Sequence, residues 1–164
     1  MKDLLRIRRG GSPRPISQYI GGEINWIKIG DATTEKDDIY ITRCQNKIKK
    51  EGLKKTLLLN PGSIIFANCG VSLGFARILK IKGAIHEGWL AFDSYDTNTL
   101  NEIFLVKTLN YVTEYFRKTA PSGTQPNLNI RIMEDFEKFM KRKRMIENLP
   151  EAKDGGIMKM ADGG

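Results

Sequence analysis

One histidine and two cysteines are all that the sequence offers for soft metal ligation or thiol–imidazole chemistry: His86, Cys44 and Cys69. Two thiols make neither a disulfide framework nor a zinc set, so both are expected to be buried and idle. His86 is followed by Glu87, but no second histidine completes a metal-binding HExxH helix, and no nucleophile accompanies the pair. A structural or surface place is expected for it. Long apolar runs are missing as well. None approaches the ~20 residues of a membrane helix, and no charged start with an apolar segment marks a secretory signal, so a cytoplasmic protein without membrane contact is expected. Catalytic signatures are equally scarce. No GxGxxG opens a helix after a strand, and no Gly-Lys-Ser/Thr follows Gly70 and Gly74. There is no Asn-Pro-Pro-aromatic or Asp-Pro-Pro-aromatic segment for amino-methylation, and no Pro-Asp dipeptide to begin a nuclease carboxylate set. These absences point away from an enzyme, with no cofactor and no metal.

Acid is the last thing in short supply. Nineteen Asp and Glu face 27 Lys and Arg, giving a net charge of +8 and a pI near 9.5. Such an excess favours a polyanionic partner, nucleic acid before acidic membrane, because neutralised phosphates release counterions. A length of 164 residues suits one domain with a tail. The hydrophobic fraction of 40% and charged fraction of 28% are those of an ordinary globular chain.

In chain order, residues 1–9 read as a short strand or a turn of helix. They lead into Gly10-Gly11-Ser12-Pro13-Arg14-Pro15, which is too rich in breakers to be regular. Gly22–Asp31 reads as one buried strand around Trp26, with Gly22 and Gly30-Asp31 as its punctuation. Ile39–Thr42 is a short strand. Gln45–Gly52 is a polar turn or two of helix ended by Gly52. Between Arg43 and Lys55 stand six basic residues and one acidic, either a phosphate-facing ridge or a solubilising one. Ser63–Cys69 and Phe75–Ile81 form two strands of a hairpin, and Trp89–Phe92 another core strand. Thr99 to Glu102 matches a capping box. Ile103, Phe104, Leu105, Leu109, Val112 and Phe116 then stripe a helix to about Lys118. A second helix from Asn129 ends in the basic cluster Lys138, Lys141, Arg142, Lys143 and Arg144. The Gly-rich tail from Pro150 is expected to be disordered or a docking tag. No internal repeat is visible.

Four short segments in order, "GGSPRP", "WIKIGD", "PGSIIFANCGVSLGFARI" and "GTQPNLN", resemble the target-recognition domain of type I restriction-modification specificity subunits. The resemblance covers about residues 4–136. It implies an α/β (α+β) fold, one target-recognition-type domain with a twisted mixed β-sheet flanked by helices. Residues 1–136 would form the DNA-binding domain, 137–149 the end of a basic helix and 150–164 the tail. The family's subunits usually carry two such domains separated by long spacer helices. This chain resembles a single, truncated copy, with a short basic helix in the spacer's place. The implied function is sequence-specific binding of double-stranded DNA as the specificity module of a restriction-modification system, without catalysis of its own. Methyltransferase and restriction subunits are the further partners implied, and a homodimer is the alternative assembly. The rival reading is a protein–protein docking module derived from such a domain.

On the DNA reading, base contacts fall to side chains that make directional hydrogen bonds: Ser12, Arg14, Gln18, Asn68, Ser72, Thr124, Gln125 and Asn127. Phosphates fall to Arg8, Arg9, Lys47, Lys49, Lys50 and Lys54. A basic face shared by residues 8–14 and 43–55 would favour DNA; dispersed basic residues and an exposed apolar patch would favour docking.

Overall fold

The computed structural model describes residues 5–33, 39–69, 73–95, 101–113, 117, 118 and 138. The chain divides into two compact units, Met1–Ile130 and Arg131–Gly164; the account below concerns the first. The helix expected from Asn129, the segment Gly123–Asn129 and the tail lie outside the described residues.

Among the described residues nine strands form two sheets. The first contains β1 (Leu5–Arg9), β9 (Trp89–Tyr95), β6 (Ile64–Ala67), β7 (Ala76–Leu79) and β3 (Tyr40–Ile41), in that spatial order. The second contains β4 (Asn46–Ile48), β2 (Ile20–Ile27), β8 (Gly83–Ile85) and β5 (Leu57–Leu59). Both sheets are mixed: β3–β7 and β2–β8 pair parallel, the other neighbours antiparallel. The α/β class expected from the sequence holds, with the strands divided over two sheets rather than one.

One apolar cluster joins the sheets. Ile27 and Ile85 reach it from the second sheet, and Ile65, Ala67, Leu79, Trp89 and Ala91 from the first. All four residues of β6 are buried, which explains why its sequence is an unbroken apolar run rather than an alternation. Each such side chain contributes roughly 1.5–3 kcal/mol by leaving water. Phe75 meets Trp89 edge-on at 5.6 Å, and Phe66 lies 6.4 Å from Phe92.

The helix α2 (Glu102–Tyr111) lies against β7. Its cap is Asn101, whose side chain accepts the Phe104 amide at 2.9 Å. Thr99 is therefore not the cap; the asparagine three residues before Phe104 takes that role. The buried face is Leu105, Val106 and Leu109, while Ile103 and Phe104 point outward, 38% and 62% exposed. Leu105 and Leu109 of the expected stripe are buried, whereas Ile103 and Phe104 are not, and Val106 completes the buried face. Asn110 fixes the helix to the sheet edge, its Oδ1 accepting the Ala76 amide at 2.6 Å. Among the described residues no helix is long and apolar enough to cross a membrane.

Two further expectations are corrected. The strand around Trp26 runs from Ile20 to Ile27, through a bulge at which Ile20 and Ile24 both pair with Ile48. It does not continue to Asp31, because Ile29–Thr33 turns into a short helix, α1. The cause is the buried Asp31 carboxylate, which accepts the Lys28 amide at 2.7 Å and the Gln45 amide at 3.0 Å and folds the chain back. Residues 45–52 are likewise not a helix. Asn46–Ile48 is β4, and a 3-10 turn over Lys50–Lys55 follows, with Gly52 inside it rather than at its end. Ile48 sits fully buried on β2, and that packing outweighs the polar composition of the segment.

Candidate nucleic-acid interface

The β8–β9 connection, His86-Glu87-Gly88, carries the chain from one sheet to the other, and the surrounding loops bond to it. Gly10 N donates to Trp89 O at 2.9 Å and Gly11 N to Ile85 O at 3.0 Å. Asn68 N donates to Gly88 O at 3.0 Å, and Thr56 Oγ1 to Ile85 O at 2.7 Å. The two glycines are required by proximity. A Cβ on Gly10 would stand 2.3 Å from His86 O, and one on Gly11 2.3 Å from Lys55 O, both backbone atoms that cannot give way.

This junction brings together two basic segments far apart in sequence. Lys55 Nζ donates to Arg14 O at 3.1 Å and stands 5.6 Å above the Tyr19 ring. Lys49 N donates to Tyr19 O at 2.7 Å, and a Cβ on Gly52 would meet both Pro13 and Tyr19 at 3.4 Å. Residues 9–19 and 49–56 thus lie side by side. On that surface Arg9, Arg14, Lys49, Lys50, Lys54 and Lys55 are all exposed.

One carboxylate sits among them. Glu87 Oε1 accepts Arg14 Nη2 at 2.8 Å, and Glu87 O accepts Arg9 Nε at 3.1 Å. Burial alone would raise the Glu87 pKa, but the neighbouring Ser12 hydroxyl, His86 and the Arg14 guanidinium outweigh it and hold the carboxyl below its ordinary range. Ser12 Oγ is close enough for this without making a hydrogen bond of normal geometry. His86 is half-buried, its ring 5.6 Å from Trp26, and its Nδ1 accepts the Gly88 amide at 3.0 Å. Burial pushes its pKa down, helped by Lys28 and Arg14 and opposed by Glu87, so the ring favours the neutral form. This is the structural place expected of a lone histidine.

The candidates fall into four groups. Arg9, at the end of β1, and Ser12, Arg14, Gln18, Lys49, Lys50 and Lys54 lie on the segments just described, Gln18 exposed at the end of the turn Ile16–Gln18. Arg8 is half-buried within β1, and Lys47 points outward from β4. Ser72, Thr124, Gln125 and Asn127 lie outside the described residues. Asn68 is a correction: it is 0% exposed and has no edge to offer a base. Its position just past β6, where the chain passes beneath Gly88, puts it inside. Lys28 and Glu87 were not among the candidates, and Lys55 was counted only within the basic ridge Arg43–Lys55. Lys28 lies 4.8 Å over the Trp26 ring, and only the tertiary fold brings Glu87 onto Arg14.

Among the described residues no three His, Cys, Asp or Glu side chains stand close enough to hold a metal ion. Both cysteines are free, and burial pushes their thiols above the ordinary 9.0, which leaves little thiolate.

No protein-family model matches the sequence, and no curated protein does. Solved structures do. The S subunit of a type I restriction-modification system from M. genitalium is 15% identical at a TM-score of 0.53, over 78% of this chain and 29% of its own. A chain from a structure on complex assembly and conformational transition of the type I R-M system is 16% identical at a TM-score of 0.56, over 93% and 39%. The HsdS subunit from Thermoanaerobacter tengcongensis is 17% identical at 0.50, over 93% and 40%. The chain spans less than half the length of each, and over that stretch it has the fold of the S subunits of type I restriction-modification systems.

Proposed function

We propose that this chain is a sequence-specific double-stranded DNA-binding module, the target-recognition part of a restriction-modification specificity subunit, without catalysis of its own. The observation that carries this reading is the joining of residues 9–19 to 49–56 through Lys55 and Arg14, which makes one basic surface from two separate segments. Flexible ammonium groups at Lys49, Lys50 and Lys54 supply phosphate attraction, while Arg14, Gln18 and Ser12 are side chains able to read base edges. Methyltransferase and restriction subunits are the partners that fit such a module, and the exposed Phe104 and Tyr111 of α2 offer them an apolar surface. Titrating a duplex pool at several salt concentrations tests the reading. With about six phosphates neutralised, log K is expected to fall against log salt with a slope of roughly −5. A flat dependence would remove the phosphate contacts, and the DNA reading with them.

A further inference from the structure

The geometry points to Arg14 as the reader of a guanine in the major groove, held in its reading orientation by Glu87. This rests on the DNA-binding reading and adds to it a base and a positioning residue.

Arg14 is fixed at both ends. Its carbonyl is held by Lys55 Nζ at 3.1 Å, and its Nη2 by Glu87 Oε1 at 2.8 Å. The loop that carries it is pinned to the β8–β9 junction through Gly10 and Gly11. The Arg14 side chain is 73% exposed and that of Glu87 36%, so the carboxylate sits deeper and the guanidinium outward. Among the described residues the guanidinium makes no further bond, so the donors not used by Glu87 remain available on a group that the carboxylate orients. The neighbouring Ser12 hydroxyl and the Arg14 guanidinium help hold the Glu87 carboxyl below its ordinary range.

Pairing matters for what Arg14 can attract. A phosphate contact needs charge and tolerates many orientations; an arginine already neutralised by a carboxylate brings little net charge to it. The neighbouring lysines serve phosphates better. Lys49, Lys50 and Lys54 are exposed, and their ammonium groups have no bonding partner among the described residues. What the Arg14–Glu87 pair retains is direction. Two parallel N–H donors fit the adjacent O6 and N7 acceptors of guanine. Adenine sets a donor beside N7 and thymine presents a single acceptor, so neither matches. Glu87 does not touch the base; it is a positioning residue that removes the rotational freedom Arg14 would otherwise lose on binding.

Selection of bound duplexes from a random pool, run on wild type, R14A, R14K and E87Q, tests this, with thermal melting of each. The wild-type motif is expected to contain a guanine at one position. R14A and R14K should both lose that preference while the rest of the motif survives, since lysine keeps the charge but not the fork. E87Q should weaken the preference at the same position roughly tenfold, leaving the salt slope unchanged. If R14A weakens all duplexes alike, or R14K restores the full motif, Arg14 is a phosphate contact and the inference is overturned while DNA binding stands. An intact guanine preference in E87Q overturns the positioning role. A wild type that enriches no motif overturns the DNA reading itself. Should E87Q melt lower, the R14A and R14K arms still decide, because Arg14 is exposed and its removal leaves the core untouched.

Discussion

Asp31 and Gln45, fourteen residues apart, are joined by a 3.0 Å bond from the Gln45 amide to Asp31 Oδ1, and the second carboxylate oxygen takes the Lys28 amide at 2.7 Å. One buried side chain thereby closes the turn after β2 and ties it to the start of β4. Asp31→Ala leaves both amides without this acceptor and is expected to cost about 3 kcal/mol. Asp31→Asn, which keeps one carbonyl oxygen, should cost roughly half as much. Urea unfolding of the two variants checks the order; equal, negligible losses would show that the turn closes without the carboxylate.

Asn68 is fully buried, and among the described residues neither its Oδ1 nor its Nδ2 has a hydrogen-bond partner. An unpaired buried amide costs about 1–3 kcal/mol, so Asn68→Leu, similar in volume and apolar, is expected to raise stability by about 1 kcal/mol. Duplex affinity should be unchanged. A marked loss of affinity in a variant that melts normally would return Asn68 to the list of base readers.

Acid should destabilise this domain in two steps. The folded pKa of His86 lies below its ordinary 6.5, so in the unfolded chain the ring takes a proton that the folded state resists. Stability is therefore flat above about pH 7 and declines as pH falls below about 6.5. Glu87 is also held low, from an ordinary 4.5, and its contribution is present above that value and lost as pH falls through the folded pKa. Denaturant midpoints of wild type and His86→Gln across this range separate the steps. The variant should keep the lower one and lose the upper; an unaltered upper step would assign it elsewhere.

Lys49, Lys50 and Lys54 are exposed on or beside the turn Lys50–Lys55 and make no contribution to the core. Replacing all three with Ala should leave the melting temperature unchanged and weaken all duplexes alike. Each lost phosphate contact reduces the salt slope by about 0.9, or roughly 2.7 for the three. Fluorescence anisotropy at a series of salt concentrations measures both. A change in sequence preference instead of slope would mean that these lysines meet base edges.

Much of this architecture was readable one segment at a time. The apolar run Ile64–Ala67 and the Gly-rich connection to Ala76–Leu79 announced a buried hairpin, because strand burial and turn chemistry are local properties. The helix Glu102–Tyr111 was equally plain from spacing, with Leu105 and Leu109 on its buried face, although its cap is Asn101 rather than Thr99 and Ile103 and Phe104 lie outside that face. Asn46–Ile48 was not readable: its polar composition favours no strand, and only docking of Ile48 against β2 makes it one.

Charge excess and the missing catalytic motifs are properties of the sequence alone, since counting residues needs no fold. Which charges meet is not. The parallel pairs β2–β8 and β3–β7 join segments tens of residues apart, and no local preference encodes such closure. Through the junction at His86–Gly88 the fold set Lys55 on Arg14 and Arg14 on Glu87, and it drew Asn68 out of solvent. The sequence by itself determined that the protein is basic; tertiary structure decided that its basic loops share one surface, because backbone hydrogen bonds at a crossing between two sheets leave those loops nowhere else to lie.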